Sequence, residues 1–484
     1  MRFAIALVAA VLISMLPDMA RAADAPPASA APRPNILFII ADDMGYNDVG
    51  FTGGKEIKTP NLDSIAAAGV RLEQFYVQPV CSPTRAALMT GRYPMRYGLQ
   101  TGVVRPWADY GLPLDETMLP AELKKAGYVT AISGKWHLGH IKPDYLPTRR
   151  GFDHQYGHYN GALDYFTHER EGGFDWHRDD KRCDDKGYST HLIADEAAKL
   201  IRAHAAPKGG DKPLFMYVPF NAVHSPLQVP DKYVKPYAAL NERRRIYAGM
   251  LAALDEGVGK ILAALDEKKL RDNTLIVFCS DNGGFNPDHV TDNKPLRAGK
   301  GTLYEGGVRV AACAAWPGQI PAGSIVKQPL HIVDMFPTLL KLAGATLSEK
   351  KPIDGKDAWA TIAQRAPTPH AEILHNATPR NGAIRVGDFK LILNGGKGDG
   401  DLADRDLGEG EAGEPADGVA GKPQVELFNI AEDPTEKNNL AAKQPEKVKE
   451  LRKRYDALAA QAVTPLSKPK AAKYKAPAVW GEVD

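Results

Sequence analysis

The chain has 484 residues and a formal net charge of +2, and its length accommodates one large domain and a smaller one. A nearly neutral chain has no electrostatic reason to bind nucleic acid or an anionic membrane surface, and we expect neither partner. Its four cysteines are too few to form the main framework of the fold.

Residues 1–22 have the pattern of a signal peptide, with Arg2 as the positive start, residues 3–16 as the apolar stretch and a small-residue cleavage site near Ala22. An uncleaved anchor is the alternative, but this stretch is shorter than the roughly 20 residues that cross a bilayer. Residues 23–33 follow as a spacer. We therefore expect an exported protein, periplasmic or secreted, with no stable membrane insertion.

Apolar strand-like runs alternate with helical patterns through the first two thirds of the chain. Strands are predicted at residues 36–40, 72–77, 128–132, 214–218, 275–279 and 308–312. Helices are predicted at residues 60–69, 117–126, 191–205 and 243–270. This alternation predicts an α/β fold, with a mostly parallel sheet flanked by helices in a large domain at residues 34–345.

The pattern loosens beyond Gly344, and residues 370–484 are predicted to form a small α+β domain. Residues 383–393 and 425–440 predict two strands and a turn, and residues 448–462 predict a helix. Residues 394–423, rich in Gly, Asp and Glu, predict an exposed and mobile loop. We expect the Lys-, Pro- and Ala-rich tail after Pro465 to pack loosely.

Polar side chains follow four of the predicted strands. In open parallel sheets, ligands bind beyond the carboxyl ends of the strands, so these side chains are expected to converge. They are Asp42 and Asp43 after the first strand, Lys135 and His137 after the third, Asn221 and His224 after the fourth, and Asp281 and Asn282 after the fifth.

The acidic residues of this group predict a metal site. Asp42, Asp43 and Asp281 would repel one another unless a cation or protons compensate, and Asn282 adds a neutral oxygen. Oxygen donors without His or Cys suit a hard divalent ion, Ca²⁺ or Mg²⁺. Each motif alone is better explained by a helix cap or a turn, and only the two together favour a metal.

Cys81 is the only cysteine with a patterned neighbourhood, in "VCSPTRAALMTG", where a loop leads into a helix that Gly91 ends. A helix N-terminus attracts anions, and Arg85 adds a fixed positive charge. With Lys135 and Lys300, this predicts a substrate rich in negative oxygen, a phosphate or a sulfate. A structural thiol is the alternative. Cys279 and Cys313 are expected to be buried small hydrophobes, and a disulfide among Cys183, Cys279 and Cys313 stays open.

The motifs together resemble those of the sulfatase family over essentially the whole mature chain. "PVCSPTRAALMTG" is similar to the family's signature, with Thr84 where serine is commoner. "NILFIIADDMGYNDVG", "GKWHLG", "AVHSPLQVP", "FCSDNGG" and "KPLRAGKGTLYEGGVRV" follow the family's order. The resemblance implies an alkaline-phosphatase-like mixed sheet and a sulfuric ester hydrolase of arylsulfatase type.

The resemblance also implies that a separate maturation enzyme oxidises Cys81 to formylglycine. The aldehyde hydrates to a diol, of which one hydroxyl attacks sulfur and the other allows the sulfated intermediate to collapse. The implied roles are metal ligation by Asp42, Asp43, Cys81, Asp281 and Asn282; charge stabilisation by Arg85; sulfate binding by Lys135 and Lys300; proton removal by His137; and leaving-group protonation by His224 with Lys300.

Residues 90–170 are most similar to the N-acetylgalactosamine-4-sulfatase (arylsulfatase B) branch, which implies a sulfated carbohydrate or aryl sulfate as substrate. The chain departs from the animal enzymes in lacking their several disulfide cysteines. Two alternatives stay open: a phosphonate or phosphate ester hydrolase of the same fold, and a non-catalytic glycan-binding protein that keeps Cys81 unmodified.

Overall fold

The computed structural model describes residues 33–204, 212–286, 289–346, 350–395 and 424–482. The predicted signal peptide, the spacer up to residue 32 and residues 396–423 of the predicted mobile loop lie outside these ranges. Within them, no helix combines the length and the apolar composition needed to cross a membrane.

The strands are, in chain order, β1 (Asn35–Ala41), β2 (Val70–Leu72), β3 (Phe75–Tyr76), β4 (Val129–Lys135), β5 (His154–His158), β6 (Glu169–Arg170), β7 (Gly173–Phe174), β8 (His177–Arg178), β9 (Lys181–Arg182), β10 (Leu214–Pro219), β11 (Thr274–Ser280), β12 (Arg309–Val310), β13 (Ala312–Ala315), β14 (Ser324–Val326), β15 (Leu330–His331), β16 (Ile373–Ala377), β17 (Gly382–Val386), β18 (Phe389–Leu393) and β19 (Val425–Asn429).

The α-helices are α1 (Pro60–Ala68), α2 (Cys81–Thr90), α3 (Leu119–Lys125), α4 (Ser189–Ala203), α5 (Asp231–Val234), α6 (Glu242–Glu267), α7 (Glu305–Val308), α8 (Met335–Leu342), α9 (Trp359–Gln364) and α10 (Pro445–Ala459).

The large sheet has the order β14-β2-β13-β11-β1-β10-β4-β5-β8-β9. Its centre, β11-β1-β10-β4-β5, is parallel, and antiparallel pairings of β13 with β11 and of β8 with β5 make the whole sheet mixed. β1 is buried along its full length, as expected for a strand covered on both faces. The predicted α/β class is therefore confirmed.

Alternate side chains of β1 belong to two different hydrophobic cores. Phe38 and Ile40 pack in the core that includes residues of α2, α3 and α8. Leu37 and Ile39 pack in the core on the other face, with residues of α1, α4 and α6. Because strand side chains alternate between faces, this division places helices on both sides of the sheet.

Two predicted strands were wrong in extent. The strand predicted at residues 72–77 is divided between β2 of the large sheet and β3, which pairs with β12 and β15 in a separate sheet. A turn at Glu73-Gln74 causes the division. The strand predicted at residues 308–312 contains the end of α7, β12 and the start of β13.

The smaller C-terminal unit is an antiparallel sheet with the order β16-β17-β18-β19, on which α10 places the buried side chains of Leu451 and Tyr455. Residues 383–393 form a hairpin around Gly387 rather than one strand, and β16 was not predicted. The expectation of a loosely packed tail was wrong at its end, where Trp480 is only 2% exposed, whereas residues 467–473 are exposed.

Candidate active site

The structure brings the four polar strand ends together. The backbone amide of Asp42 donates to Ala222 O at 2.9 Å, and that of Asp281 donates to Ala41 O at 3.0 Å. Arg85 Nη1 donates to Lys135 O at 3.1 Å and so connects α2 with the end of β4. Parallel pairing in register therefore creates the convergence that the sequence predicted.

Three buried carboxylates form the centre of the site. Asp42 and Asp281 are fully buried, and Asp43 is 4% exposed. Burial, followed by the charge of Asp42, raises the pKa of Asp281 to about 6. Burial acts in the same direction on Asp43, but Lys300 and His224 outweigh it and hold the pKa of that carboxyl well below its ordinary value. Asp43 therefore keeps its negative charge more readily than Asp281.

The clustered donor atoms could hold a metal ion. Ligand atoms of Asp42, Asp43, Cys81 and His224 all lie within 4.8 Å of one another. Asn282 Nδ2 donates to Asp43 Oδ1 at 2.7 Å, while its Oδ1 is buried and has no hydrogen-bond partner among the described residues. A buried oxygen that lacks a donor, next to clustered carboxylates, is what an oxygen-ligated ion would satisfy.

Asp281, one of the predicted ligands, lies beside this group of four. Its Oδ2 accepts from Arg85 Nη2 at 2.8 Å, and its Oδ1 accepts from the backbone amide of Asp43 at 3.3 Å. His224, predicted as an acid rather than a ligand, approaches Asp43 Oδ2 to 3.6 Å.

Cys81 is the first residue of α2 and its thiol points at the carboxylates. Its Sγ donates to Asp42 Oδ1 at 3.3 Å and lies 3.9 Å from Asp43 Oδ1. Burial, followed by the charges of Asp281 and Asp42, raises the pKa of this thiol well above its ordinary value. The unmodified side chain therefore stays a protonated thiol, which is a poor nucleophile.

Cations surround the carboxylates and Cys81. Arg85 is fully buried, and Lys135 Nζ forms an ion pair with Asp42 Oδ2. Lys300 Nζ donates to Asp43 Oδ2 at 2.8 Å and to His224 Nε2 at 3.3 Å. All three predicted anion-binding cations are therefore present, and each already contacts a carboxylate.

His137 is held by backbone groups in a left-handed conformation with φ 58°. Its Nε2 lies 3.1 Å from Val104 O, which can only accept, so this nitrogen carries the proton. Its Nδ1 is buried and has no partner among the described residues. Burial, followed by the charges of Lys135 and Arg85, lowers the pKa of His137 well below its ordinary value. The ring is therefore neutral, with Nδ1 available as an acceptor.

His224 has the opposite tautomer. Its Nδ1 donates to Ser225 O at 2.7 Å, which leaves Nε2 to accept from Lys300. Burial, followed by the charge of Lys300, lowers the pKa of His224 to about 3. In this arrangement the shared proton resides on Lys300.

Sequence reasoning missed the residues that hold the two histidines. Ser82 Oγ donates to His137 O at 2.9 Å and accepts from the backbone amide of Val104 at 3.0 Å. Tyr165 OH lies 2.7 Å from both Asn221 O and His224 O. Ser82 follows Cys81 directly in the signature, but no spacing in the sequence connects Val104 or Tyr165 with a histidine.

The four cysteines are unpaired in the structure. Cys279 and Cys313 are fully buried in β11 and β13, as predicted for small hydrophobic residues. Cys183 is partly exposed. No disulfide therefore contributes to the described fold.

Comparisons with known proteins agree with the resemblance read from the motifs. The model of the Sulfatase family matches residues 34–345. Arylsulfatase J of Mus musculus is 39% identical over 87% of this chain and 75% of its own length, and N-acetylgalactosamine-6-sulfatase of Homo sapiens is 37% identical over 70% and 67%. The solved structure of Ps i-CgsB in complex with k-i-k-neocarrahexaose superposes with a TM-score of 0.78 at 32% identity, covering 90% of this chain and 94% of that one.

Proposed function

Because this chain belongs to the sulfatase family and is therefore a sulfuric ester hydrolase, we propose that it hydrolyses sulfate esters of carbohydrates with a formylglycine made from Cys81. The observation that carries the proposal is the position of Cys81 Sγ, 3.3 Å from Asp42 Oδ1 within a ring of buried cations. A buried protonated thiol has little use there, whereas a diol at the same position faces an anion-binding pocket.

Asp42, Asp43, Asp281 and Asn282, with the modified Cys81, would hold a divalent ion, for which we propose Ca²⁺ before Mg²⁺. When bound, the ion would offset the repulsion among the carboxylates and polarise a sulfate oxygen. Chelation is then expected to abolish activity, and Ca²⁺ to restore more of it than Mg²⁺.

The side chains of the chain account for binding and for the movement of protons. Lys135 and Lys300 would bind sulfate oxygens, and Arg85 would stabilise the diol. One diol hydroxyl would pass its proton to Asp281 and form a bond to sulfur while the bond between sulfur and the sugar oxygen breaks. Lys300, which shares a proton with His224, supplies the proton that the departing oxygen takes.

The second half of the reaction regenerates the aldehyde. His137 Nδ1, which has no other partner among the described residues, would accept the proton of the remaining hydroxyl. The bond between carbon and the sulfate oxygen then breaks, sulfate leaves, and a water molecule adds to the carbonyl to restore the diol. A serine at position 81 could not complete this step, because it has no second hydroxyl.

The proposal extends to the substrate, the cellular location and the maturation of the protein. The bound neocarrahexaose of Ps i-CgsB and the sugar in the name of the human relative support a sulfated carbohydrate as substrate, with aryl sulfates as small substitutes. We further propose export to the periplasm or beyond after cleavage near Ala22, and oxidation of Cys81 by a maturation enzyme. The relatives reported above do not single out the N-acetylgalactosamine-4-sulfatase branch, which stays a prediction.

Release of sulfate and of phosphate from matched 4-nitrophenyl esters tests the proposed chemistry. The protein, co-expressed with a formylglycine-generating enzyme, is expected to release sulfate, and the Cys81→Ser variant is expected to stop after at most one turnover. A dominant phosphate or phosphonate ester rate with negligible sulfate release would favour the alternative hydrolase. Binding of sulfated sugars without turnover would favour a glycan-binding protein.

A further inference from the structure

The C-terminal segment 463–482 is fastened along the catalytic part of the molecule. The backbone amides of Val463 and Leu466 donate to Met95 O and Gly98 O at 2.9 and 2.8 Å. The backbone amide of Phe174 donates to Ala478 O, and that of Trp480 donates to Phe174 O, both at 2.9 Å. Such regular pairing shows that the segment follows a defined path over the surface.

This path leads to the segments that hold His137. Val104 O accepts from the ring of His137, and Tyr159 O accepts from its backbone amide at 3.0 Å. Tyr474 OH donates to Pro106 O at 3.2 Å, only two residues after Val104. Gly481 packs so closely on Tyr159 that a Cβ there would lie 2.5 Å from its ring. The C-terminal segment therefore contacts both of the segments whose backbone carbonyls, at Val104 and Tyr159, hold His137.

The contact includes aromatic rings and cations on an accessible surface. Trp107 and Tyr474 are partly exposed and meet edge to face, with ring centroids 6.4 Å apart. Lys470 Nζ lies 5.0 Å from the ring of Trp107 and 5.3 Å from that of Tyr474. The guanidinium of Arg105 lies 5.6 Å from the ring of Trp107. The exposed parts of these rings offer apolar surface to the C–H groups of a sugar ring.

The lysines of the segment divide into two kinds. Lys468 pairs with Asp109 at 2.7 Å and Lys470 with Glu171 at 3.1 Å, and these ion pairs fasten the segment to the surface. Lys473 and Lys475 are exposed on either side of Tyr474 and form no ion pair with the described residues. Their charges are therefore available to an anionic ligand.

We propose that segment 463–482 and loop 102–107 form an outer subsite that binds the sulfated saccharide units next to the one from which sulfate is removed. The proposal rests on the proposed function and extends it. It makes the enzyme prefer sulfated oligosaccharides over a single sulfated sugar, because the outer units add contacts that a small ester lacks.

The test measures inhibition of 4-nitrophenyl sulfate hydrolysis by a hexasaccharide prepared from dextran sulfate. In the full-length matured protein, the Lys473→Ala/Lys475→Ala double variant is expected to raise the inhibition constant, relative to the KM of the aryl ester, by about 3- to 10-fold at low salt. Trp107→Ala is expected to raise the same ratio by about 5-fold. Lys449→Ala/Lys453→Ala on α10 is the charge-matched control and is expected to leave the ratio unchanged.

An unchanged ratio in both test variants, or a hexasaccharide that does not inhibit the wild type, would overturn the subsite. A parallel rise in the KM of the aryl ester would assign the segment a structural role only, which also contradicts the proposal. If the matured protein releases no sulfate at all, the proposed function fails instead. Calorimetric binding of the same hexasaccharide to the same variants then still decides whether the subsite exists.

Discussion

Gly161 limits the space around His137, and the Gly161→Ala variant tests the role of that ring. An added Cβ would lie 2.5 Å from both Cε1 and Nε2 of His137. Because non-bonded carbon atoms prefer about 3.5–4.0 Å, the ring must retreat by about 1 Å. The retreat would disturb its hydrogen bond to Val104 O, now 3.1 Å long. Gly161 does not have a positive φ, so alanine brings no backbone strain.

The magnitude follows from the displacement. Misplacing a catalytic group by about 1 Å reduces turnover by about 100-fold, whereas overpacking lowers the free energy of unfolding by about 1–3 kcal/mol. We expect kcat for 4-nitrophenyl sulfate to fall by about 100-fold while the protein stays folded.

Steady-state kinetics and urea unfolding of the same preparation separate the two effects. The matched control is Gly259→Ala on α6, where a Cβ would lie 2.7 Å from Asn61 Oδ1, a side-chain contact away from the active site. The control is expected to keep the wild-type kcat. A wild-type kcat in folded Gly161→Ala would refute the placement of His137 at the reacting atoms.

Three further predictions concern the proposed nucleophile, a buried charge cluster and pH. Cys81→Ala should abolish sulfate release but keep the thermal unfolding transition, because the deleted thiol contacts site carboxylates; loss of the folded state would contradict this. Lys390→Met should lower the free energy of unfolding by about 3–5 kcal/mol in urea titrations. The variant leaves two buried carboxylates without their cation, because Glu305 Oε1 and Glu436 Oε1 lie 2.9 and 3.0 Å from Lys390 Nζ. An unchanged urea midpoint would contradict this prediction. Burial lowers the pKa of His331 from 6.5 to about 3, so the folded state favours the neutral ring. The free energy of unfolding should therefore fall as pH drops below 6.5, by about 2 kcal/mol at pH 5. His331→Gln should flatten this dependence of the free energy of unfolding on pH, and an unaltered dependence would contradict the assignment.

The convergence of the catalytic candidates could be predicted because it depends on local patterns and one topological rule. β1 and β11 are continuous apolar runs, and Asp42 and Asp281 follow them directly. Parallel strands that are neighbours in a sheet end at the same edge of it. Residues as far apart in the chain as Asp43 and Asn282, 239 positions, could therefore be placed together without knowing which strands pair.

The support around those residues could not be predicted, because it depends on contacts without periodicity. Val104 meets the ring of His137 from an irregular loop, and Ser82 connects the two. The tail after Pro465 is rich in Lys, Pro and Ala, which predicted loose packing, yet backbone hydrogen bonds, two ion pairs and the buried side chain of Trp480 hold it. The short strand β15 was missed, and β3 and β12 were merged into longer predicted strands, because two residues carry no alternation.

The oxidation state of Cys81 tests the central claim most directly. The intact mass of the tryptic peptide that contains Cys81, from protein co-expressed with a formylglycine-generating enzyme, is expected to be about 18 Da below that of the cysteine form, since one sulfur and two hydrogens are replaced by one oxygen. An authentic sulfatase matured in the same cells confirms that the system is active. Full retention of the thiol, while that sulfatase is converted, would contradict the account.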